Sequence, residues 1–210
     1  MAGCSTIAAA QFIYYMKPNH DIIVNGTEIS TTQLLSMQYG YTPTPVAKDV
    51  VSTLILEIGY AIDANFGVNA TSASLTNVAN LLTSVLGYNH ILRNYSQGIA
   101  EGKLDLETPI IMQGSDARTG GCHAWILDGY SRGEVTKKKF TIDGGSETIY
   151  VGSFSKVHCN FGWGGVCDGY YSNSVFDTSN RNYDIDSSVG DYTGIGPSNY
   201  TSEFWMINTY

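Results

Sequence analysis

Apolar positions follow a helical spacing in the first half of the chain and short strand-like runs in the second half. In residues 7–16 the only polar side chain besides the tyrosine hydroxyls is that of Gln11. A helix that is apolar on all sides is normally buried inside a domain. The pattern therefore predicts a buried helix that is headed by Cys4 and ends at Lys17, because Pro18 disfavours helical geometry in the residue before it.

Two further helices are predicted before the strand-like runs begin. Apolar residues recur at three- and four-residue spacing after Pro45, a residue that suits the first turn of a helix, and the pattern stops at residues 65–67. Ser74 is placed to cap a helix over residues 75–86, and Gly87 is placed to end it. The first half of the chain is therefore expected to be mainly helical.

Polar and small residues mark the connections between these elements. Residues 19–45 are predicted to form a polar surface connection with one short helical turn at residues 32–38. Residues 67–74 carry small or polar side chains, as in a loop that connects elements or lines a cleft. Residues 172–202 are predicted to be a long irregular segment, and loops of this length in compact domains are usually functional or mobile.

Strands are predicted in the second half, where short apolar runs are separated by glycine and polar turns. The runs cover residues 109–112, 122–130, 139–143, 156–161, 169–172 and 204–207. The basic stretch at residues 132–139 is predicted to be a solvated hairpin. Helices followed by strands indicate the α+β class, and the length suits a single domain over residues 1–210.

Composition narrows the possible functions. The chain has 210 residues, 43% hydrophobic and 14% charged, with a net charge of −8. An acidic surface repels polyanions, which argues against nucleic-acid binding. No apolar run approaches the length of about 20 residues that spans a membrane, and no signal peptide is evident. The many Gly, Tyr, Ser, Thr and Asn residues suggest an extracellular protein, so the chain is interpreted as a mature fragment.

The four cysteines are Cys4, Cys122, Cys159 and Cys167. They are too few for a disulfide framework, although Cys159 and Cys167 flank a glycine-rich turn and are close enough in sequence to pair. None of them forms a two-residue-spaced pair typical of zinc sites, and no metal is predicted. Cys4 is either a buried structural cysteine or a nucleophile, because the positive end of a helix favours a thiolate.

Two later segments carry residues that a nucleophilic cysteine would need. His123 opens an apolar strand and is preceded by two glycines and Cys122. Asn160 precedes a run of aromatic and glycine residues. A thiol nucleophile needs an imidazole as its base, and the imidazole needs a third group that fixes its ring and tautomer. Cys4, His123 and Asn160 are therefore a candidate set, although His123 alone would suit a structural role and Asn160 alone would suit a turn.

Three segments together resemble the streptopain family of papain-like cysteine peptidases. They are GC at residues 3–4 with the alanine-rich helix after it, GCHAWILDGY at 121–130 and NFGWGGVCDGY at 160–170. The helices and the loop at residues 72–73 between them occur in the order and spacing that the family has. The resemblance implies a two-lobe papain-like fold, with residues 1–108 forming a mainly helical lobe and residues 109–210 a mainly β lobe.

The resemblance also assigns catalytic roles. Cys4 would be the nucleophile of an endopeptidase, and His123 would take its proton and return it to the leaving amine. Asn160 would lie beside the histidine as its orienting side chain. Phe161 stands where the family usually has tryptophan, whose ring shields the histidine from water.

Substrate contacts are expected from four residues, namely Ser72, Cys122, Phe161 and Trp163. Cys122 stands where the family has glycine, so its larger side chain is expected to narrow the cleft or change what it accepts. Trp163 is more typical of a packing residue, but its glycine loop would also let it form a wall of the cleft. The substrate would be a peptide or protein, and no metal or organic cofactor is implied.

The family also implies secretion by a bacterium as a zymogen, and a segment upstream of the nucleophile that supplies an oxyanion-hole glutamine. This chain has three residues before Cys4, so that segment and the pro-segment are expected to be absent from it. Gln11 is not expected to replace the glutamine, because its side chain is expected to point away from the thiol end of the helix. Two alternatives remain: a weak or inactive scaffold with the same fold, and a thiol acyltransferase.

Overall fold

The helices lie in the first half of the molecule and most strands in the second, in a computed structural model that describes residues 2–36, 44–68, 71–178 and 198–209. The helices are α1 (Cys4–Met16), α2 (Thr31–Leu35), α3 (Pro45–Ala61), α4 (Leu75–Leu86) and α5 (Gln97–Leu104). The strands are β1 (Ile22–Val24), β2 (Thr27–Ile29), β3 (Asn65–Phe66), β4 (Thr71–Ser72), β5 (His90–Asn94), β6 (Ile110–Asp116), β7 (Cys122–Phe140), β8 (Ser146–Asn160), β9 (Gly169–Ser172), β10 (Phe176–Asp177) and β11 (Asn199–Thr209). The protein is therefore of the predicted α+β class.

A seven-stranded antiparallel sheet organises the second half. Its strand order is β10-β11-β6-β7-β8-β9, and β5 pairs with β11. Strands β6 and β7 pair so that Gly114 lies opposite His123 and Ser115 opposite Cys122. Two small hairpins, β1–β2 and β3–β4, complete the strand pairing of the described residues. The start of β7 therefore lies beside the end of β6, near the middle of the large sheet.

The middle of the sheet is buried on both faces. Successive side chains of a strand point to opposite faces, and each face packs against a core here. Ala124 and Ile126 pack into a core with α1, α3 and α4. Trp125 and Leu127 pack into a second, aromatic-rich core on the other face. This explains why residues 124–127 form an unbroken apolar run rather than an alternating one.

Helix α1 is the most buried helix of the first core. Phe12 and Ile13 have 0% exposure, and burial of such side chains contributes about 1.5–3 kcal/mol each. The helix ends at Lys17, which takes a left-handed φ of 47° and bonds through its N–H to the Tyr14 carbonyl. The prediction of a buried helix that stops before Pro18 is confirmed.

The other two predicted helices are also confirmed. Pro45 opens α3, but this helix ends at Ala61 rather than at residues 65–67. The Ser74 hydroxyl accepts a hydrogen bond from the Thr76 N–H at the start of α4, and Gly87 takes a φ of 76° at its end. No helix in the described ranges is long and apolar enough to cross a membrane.

Several connections hold more structure than predicted. Within the predicted polar connection, β1 and β2 form a hairpin around Asn25 and Gly26, whose φ values are 49° and 80°. An Asn-Gly pair favours this kind of turn, so the sequence did carry the signal. Helix α5 was not predicted, because Gly98 and Gly102 lower its intrinsic helix propensity. Strand β5, just before it, was not predicted either.

The second half also differs from the prediction in detail. The predicted strand at residues 139–143 is wrong, because β7 ends at Phe140 and the Thr141 N–H bonds to the Gly145 carbonyl in the turn to β8. The basic stretch at residues 132–139 does lie in an exposed hairpin. The irregular segment predicted at 172–202 contains β10 and the start of β11, and its residues 179–197 lie outside the described residues.

We expect Gly87→Ala to lower the free energy of unfolding by about 1–2 kcal/mol, because an L-residue is strained at left-handed φ. A Cβ at position 87 meets no atom within 4 Å, so the effect isolates backbone strain. Gly98→Ala is the matched control: its site is also open but lies in α5 without a positive φ, and alanine there should raise stability by about 0.5–1 kcal/mol. Urea unfolding measures both, and equal effects would contradict the role of Gly87.

Candidate active site

Cys4 is held at the start of α1 by a close approach of backbone to side chain. Gly3 precedes it with a φ of 91°, and a Cβ on Gly3 would lie 2.8 Å from the Thr71 methyl carbon. Glycine is therefore required here both by the left-handed φ and by the lack of space. This contact puts the β4 strand, with the exposed Ser72, beside the N-terminus of the helix, and Cys4 is half-buried there.

His123 lies at the start of β7 with only 8% of its surface exposed. Its Nε2 atom is 2.9 Å from the main-chain carbonyl oxygen of Phe161. A carbonyl oxygen can only accept, so Nε2 must carry the proton and donate it. The neutral ring is therefore held as the Nε2–H tautomer, which leaves the lone pair on Nδ1 available to accept a proton.

Aromatic rings surround the imidazole. The Trp163 ring is the nearest, with centroids 4.6 Å apart, and the Phe161 ring stacks at 6.0 Å. Burial lowers the pKa of His123 to about 4, and the bond to the Phe161 carbonyl opposes this only in part. The ring on its own is thus neutral at pH 7, and an imidazolium would need a negative charge beside it.

Tyr200 connects the surroundings of Cys4 and His123. Its ring centroid is 5.8 Å from that of His123. Burial raises the pKa of Tyr200 to about 12, and the charge of a Cys4 thiolate contributes to the rise. The His123 ring thus contacts Tyr200, and a Cys4 thiolate acts on Tyr200 through its charge. No hydrogen bond joins the Cys4 thiol to the His123 ring among the described residues.

The Asn160 side chain bonds to other groups than the His123 ring. Its Oδ1 accepts hydrogen bonds from Gln11 Nε2 and from the Gly162 N–H, both at 3.0 Å, while the Phe161 carbonyl is the partner of His123. Gln11 lies seven residues after Cys4, two helical turns on, and so on the same face of α1.

The four predicted substrate contacts divide into exposed and buried residues. Ser72 and Cys122 are exposed and Trp163 is partly exposed. Phe161 is only 1% exposed, so its ring shields the histidine from behind and has no free surface for a substrate. Cys122 is not without a partner, since its sulfur is 3.2 Å from the Ser115 hydroxyl oxygen.

Two further residues shape the site and were not predicted. Asp168 accepts a hydrogen bond of 2.8 Å from the Phe161 N–H and so fixes the turn that carries the carbonyl partner of His123. An aspartate before glycine is typical of an ordinary turn, so the sequence carries no signal for this role. Tyr200 lies far along the chain from His123, and nothing in its spacing indicated the contact.

Cys159 and Cys167, which are close enough in sequence to pair, are both buried and are not joined by a disulfide bond in this structure. Burial raises the pKa of the Cys159 thiol well above its usual value. Across the described ranges, no group of three or more histidine, cysteine, aspartate or glutamate side chains converges as a metal site would require. The chemistry that the described residues offer is therefore that of a thiol, a neutral imidazole and main-chain amides.

Comparison with known proteins gives two findings. The model of the peptidase C10 family matches residues 1–171. Streptopain from Streptococcus pyogenes serotype M1 is 29% identical over 135 residues, which is 60% of this chain and 28% of that protein. Streptopain from Streptococcus pyogenes serotype M18 (strain MGAS8232) matches with the same identity and coverage. The chain thus spans little more than a quarter of the length of these curated relatives.

The low pKa of His123 predicts a pH-dependent stability. The ring has a pKa of about 4 in the fold, below its ordinary value of 6.5. The neutral ring therefore makes its full contribution to the free energy of unfolding above pH 6.5. This contribution is lost as the pH falls towards 4, by up to about 3 kcal/mol. His123→Gln cannot lose this contribution, so the stability difference between the two proteins should change by that amount between pH 7 and pH 4.

Urea unfolding at each pH measures this difference, in a Cys4→Ala background that keeps a thiolate charge away from the ring. His20→Gln is the control, because His20 is exposed, and its curve should stay parallel to that of the parent protein. A constant difference between parent and His123→Gln across this range would show that burial does not hold the ring neutral.

Proposed function

This chain belongs to the peptidase C10 family, and from that premise we propose that it is a cysteine endopeptidase with Cys4 as its nucleophile and His123 as its base. The main support is the hydrogen bond from His123 Nε2–H to the Phe161 carbonyl. It leaves the Nδ1 lone pair free on a shielded ring that lies against Tyr200, whose pKa also responds to the charge of a Cys4 thiolate. Acyl transfer requires a thiol and a base within reach of each other, and the proposal assigns these roles to Cys4 and His123.

The proposed reaction runs through a thioester. Nδ1 of His123 takes the proton of the Cys4 thiol, and the thiolate attacks the carbonyl carbon of a peptide bond. The imidazolium then gives its proton to the leaving amine as the C–N bond breaks. A water molecule, deprotonated by the same Nδ1, attacks the thioester and releases the acid, and the proton returns to the thiolate.

The burial of His123 bears on the charge state of the pair. A buried imidazolium is costly, but the adjacent thiolate offsets this cost during the reaction. The thiol must turn towards Nδ1 when substrate binds, since no hydrogen bond joins them beforehand within the described residues. Catalytic hydrogen bonds often tighten only in the substrate complex. The Phe161 carbonyl takes the orienting position that was expected of the Asn160 side chain.

The substrate would be a peptide or protein that lies across the exposed Ser72 and Cys122 and the partly exposed Trp163. Secretion by a bacterium, synthesis as a zymogen and an oxyanion donor from an upstream segment are further parts of the proposal, and they rest on the resemblance alone. A catalytically inactive scaffold is the second candidate. The missing hydrogen bond between Cys4 and His123 favours it, so the test must separate the two.

We expect iodoacetamide to alkylate Cys4 at pH 6 at least roughly tenfold faster than the exposed Cys122, because only a thiolate is a strong nucleophile. His123→Ala should remove that advantage. Mass spectrometry of the adducts between pH 5 and 8 measures each cysteine separately. His20→Ala, a change at an exposed site, is the control and should leave the rates unchanged.

The same proteins should differ in hydrolysis of casein. Cys4→Ala and His123→Ala are expected to lose at least about 10³-fold in turnover, as loss of a nucleophile or base usually does, while His20→Ala keeps the parent rate. If Cys4 reacts no faster than Cys122 and the parent protein does not cleave casein, the scaffold is the correct interpretation.

A further inference from the structure

The acceptor of the His123 proton is one end of a peptide group whose other end is also held. The Phe161 carbonyl, which accepts from Nε2, and the Gly162 N–H belong to the same peptide. The Gly162 N–H donates to Asn160 Oδ1 at 3.0 Å. A continuous chain of hydrogen bonds therefore runs from the Asn160 amide through one peptide group to the imidazole.

The donors in this chain fix the orientation of both side-chain amides. A main-chain N–H can only donate, so Asn160 must turn its oxygen towards Gly162. Gln11 approaches the same oxygen at 3.0 Å and must therefore present its NH₂ group. Its own Oε1 is buried and has no hydrogen-bond partner among the residues that the structure describes. Gln11 thus gives up a bond of its own to make the contact with Asn160.

The chain also joins the two elements that carry the reacting groups. Gln11 lies on the same face of α1 as Cys4, two turns further along. The turn at Gly162 packs closely against this helix, since a Cβ there would lie 3.0 Å from the Ile7 methyl carbon. The link between Gln11 and Asn160 therefore fastens the turn that holds His123 to the helix that carries the thiol.

We propose that Asn160 and Gln11 are positioning residues that set the tautomer and basicity of His123 through the Phe161–Gly162 peptide. This inference rests on the proposed function in that the reaction needs His123 as its base. Hydrogen bonds in a chain polarise one another. A bond from the Gly162 N–H to Asn160 places more negative charge on the Phe161 oxygen, which then holds the Nε2–H more firmly and favours the imidazolium.

The titratable groups around this arrangement, in the part of the chain that the structure describes, come from several elements. The Cys4 thiol lies on α1, the Tyr200 hydroxyl on β11, and the Asp168 carboxylate accepts from the Phe161 N–H. The Asp128 carboxylate, which pairs with His158, lines one pocket with Gln11, Asn160 and the hydroxyl-bearing rings of Tyr14 and Tyr15. Asp168 acts on the neighbouring peptide group, that between Asn160 and Phe161. A Cys4→Ala background removes the one group among them that is proposed to change charge during the reaction.

The test uses histidine labelled with ¹⁵N, whose two ring nitrogens report the tautomer and the pKa by NMR. In the Cys4→Ala background we expect Asn160→Ala to lower the Nε2–H share at pH 7 and to lower the His123 pKa. Asn160→Asp keeps the oxygen that accepts from Gly162 and adds negative charge, so it should keep the tautomer and raise the pKa by roughly half a unit or more.

Gln11→Met, which keeps the length of the side chain but removes its donor, should shift the tautomer in the same direction as Asn160→Ala and by less. This variant also keeps the test open if Asn160→Ala does not fold. Asn77→Ala is the matched control, because it removes a hydrogen bond of 3.0 Å between Asn77 and the Ile62 carbonyl at α4. It should lower stability and leave the His123 signals unchanged.

Opposite pKa shifts in Asn160→Ala and Asn160→Asp support the proposal, since a merely structural role would move both in one direction. Equal shifts, or an unchanged tautomer in Asn160→Ala and Gln11→Met, would overturn it. These NMR signals need no turnover, so absence of casein cleavage in the parent protein would count against the proposed function alone. In a protein with Cys4, Asn160→Ala should lower kcat more than it changes KM.

Discussion

The packing of α1 is the constraint on which the rest of the structure depends. A helix with apolar side chains on most sides needs cover, and α3, α4 and one face of the sheet provide it for most of α1, while Tyr15 stays exposed. Two glycines lie in close contact at this helix, Gly3 beside Thr71 and Gly162 beside Ile7. Both glycines flank the candidate site. The packing that stabilises the fold therefore also fixes the position of Cys4 at the start of α1 and the position of the turn around Phe161.

Burial of His123 sets a second condition, and it acts against the charge that a peptidase base must carry. The aromatic rings around the imidazole exclude water and hold the neutral ring, with Nε2 already protonated by virtue of its bond to the Phe161 carbonyl. In the proposed reaction, a ring that is neutral at rest would take the proton of the Cys4 thiol at Nδ1. The cost of burial would then arise only in the charged state, where the thiolate and the polarised peptide would reduce it. Stability and reactivity thus draw on the same few contacts.

The sequence was sufficient to predict the class of the fold and the three long helices, because helix spacing and caps are local signals. The roles of Cys4 and His123 were inferred from motifs and stay a prediction. The sequence was not sufficient for the contacts between elements. Nothing local indicates that the amide of Asn160 faces Gln11 rather than the imidazole, since this depends on how α1 packs against the turn after β8. The contact of Tyr200 with His123 could not be predicted for the same reason. The hairpin at Asn25 and Gly26 is different, because its Asn-Gly turn is a local signal that the sequence contains.

Use of a main-chain acceptor for His123 also explains how this chain can differ from its family at Phe161. A side-chain acceptor would tie the residue type to the function, whereas a carbonyl oxygen is supplied by any residue. Phenylalanine in place of the usual tryptophan therefore leaves the hydrogen bond to Nε2 intact, and the remaining requirement is that the ring be shielded. Trp163 meets it, because its ring is closer to the imidazole than that of Phe161. What must be preserved at this point is the geometry of the Phe161–Gly162 peptide, and that geometry is held by Asn160, Asp168 and the glycine that lets α1 approach.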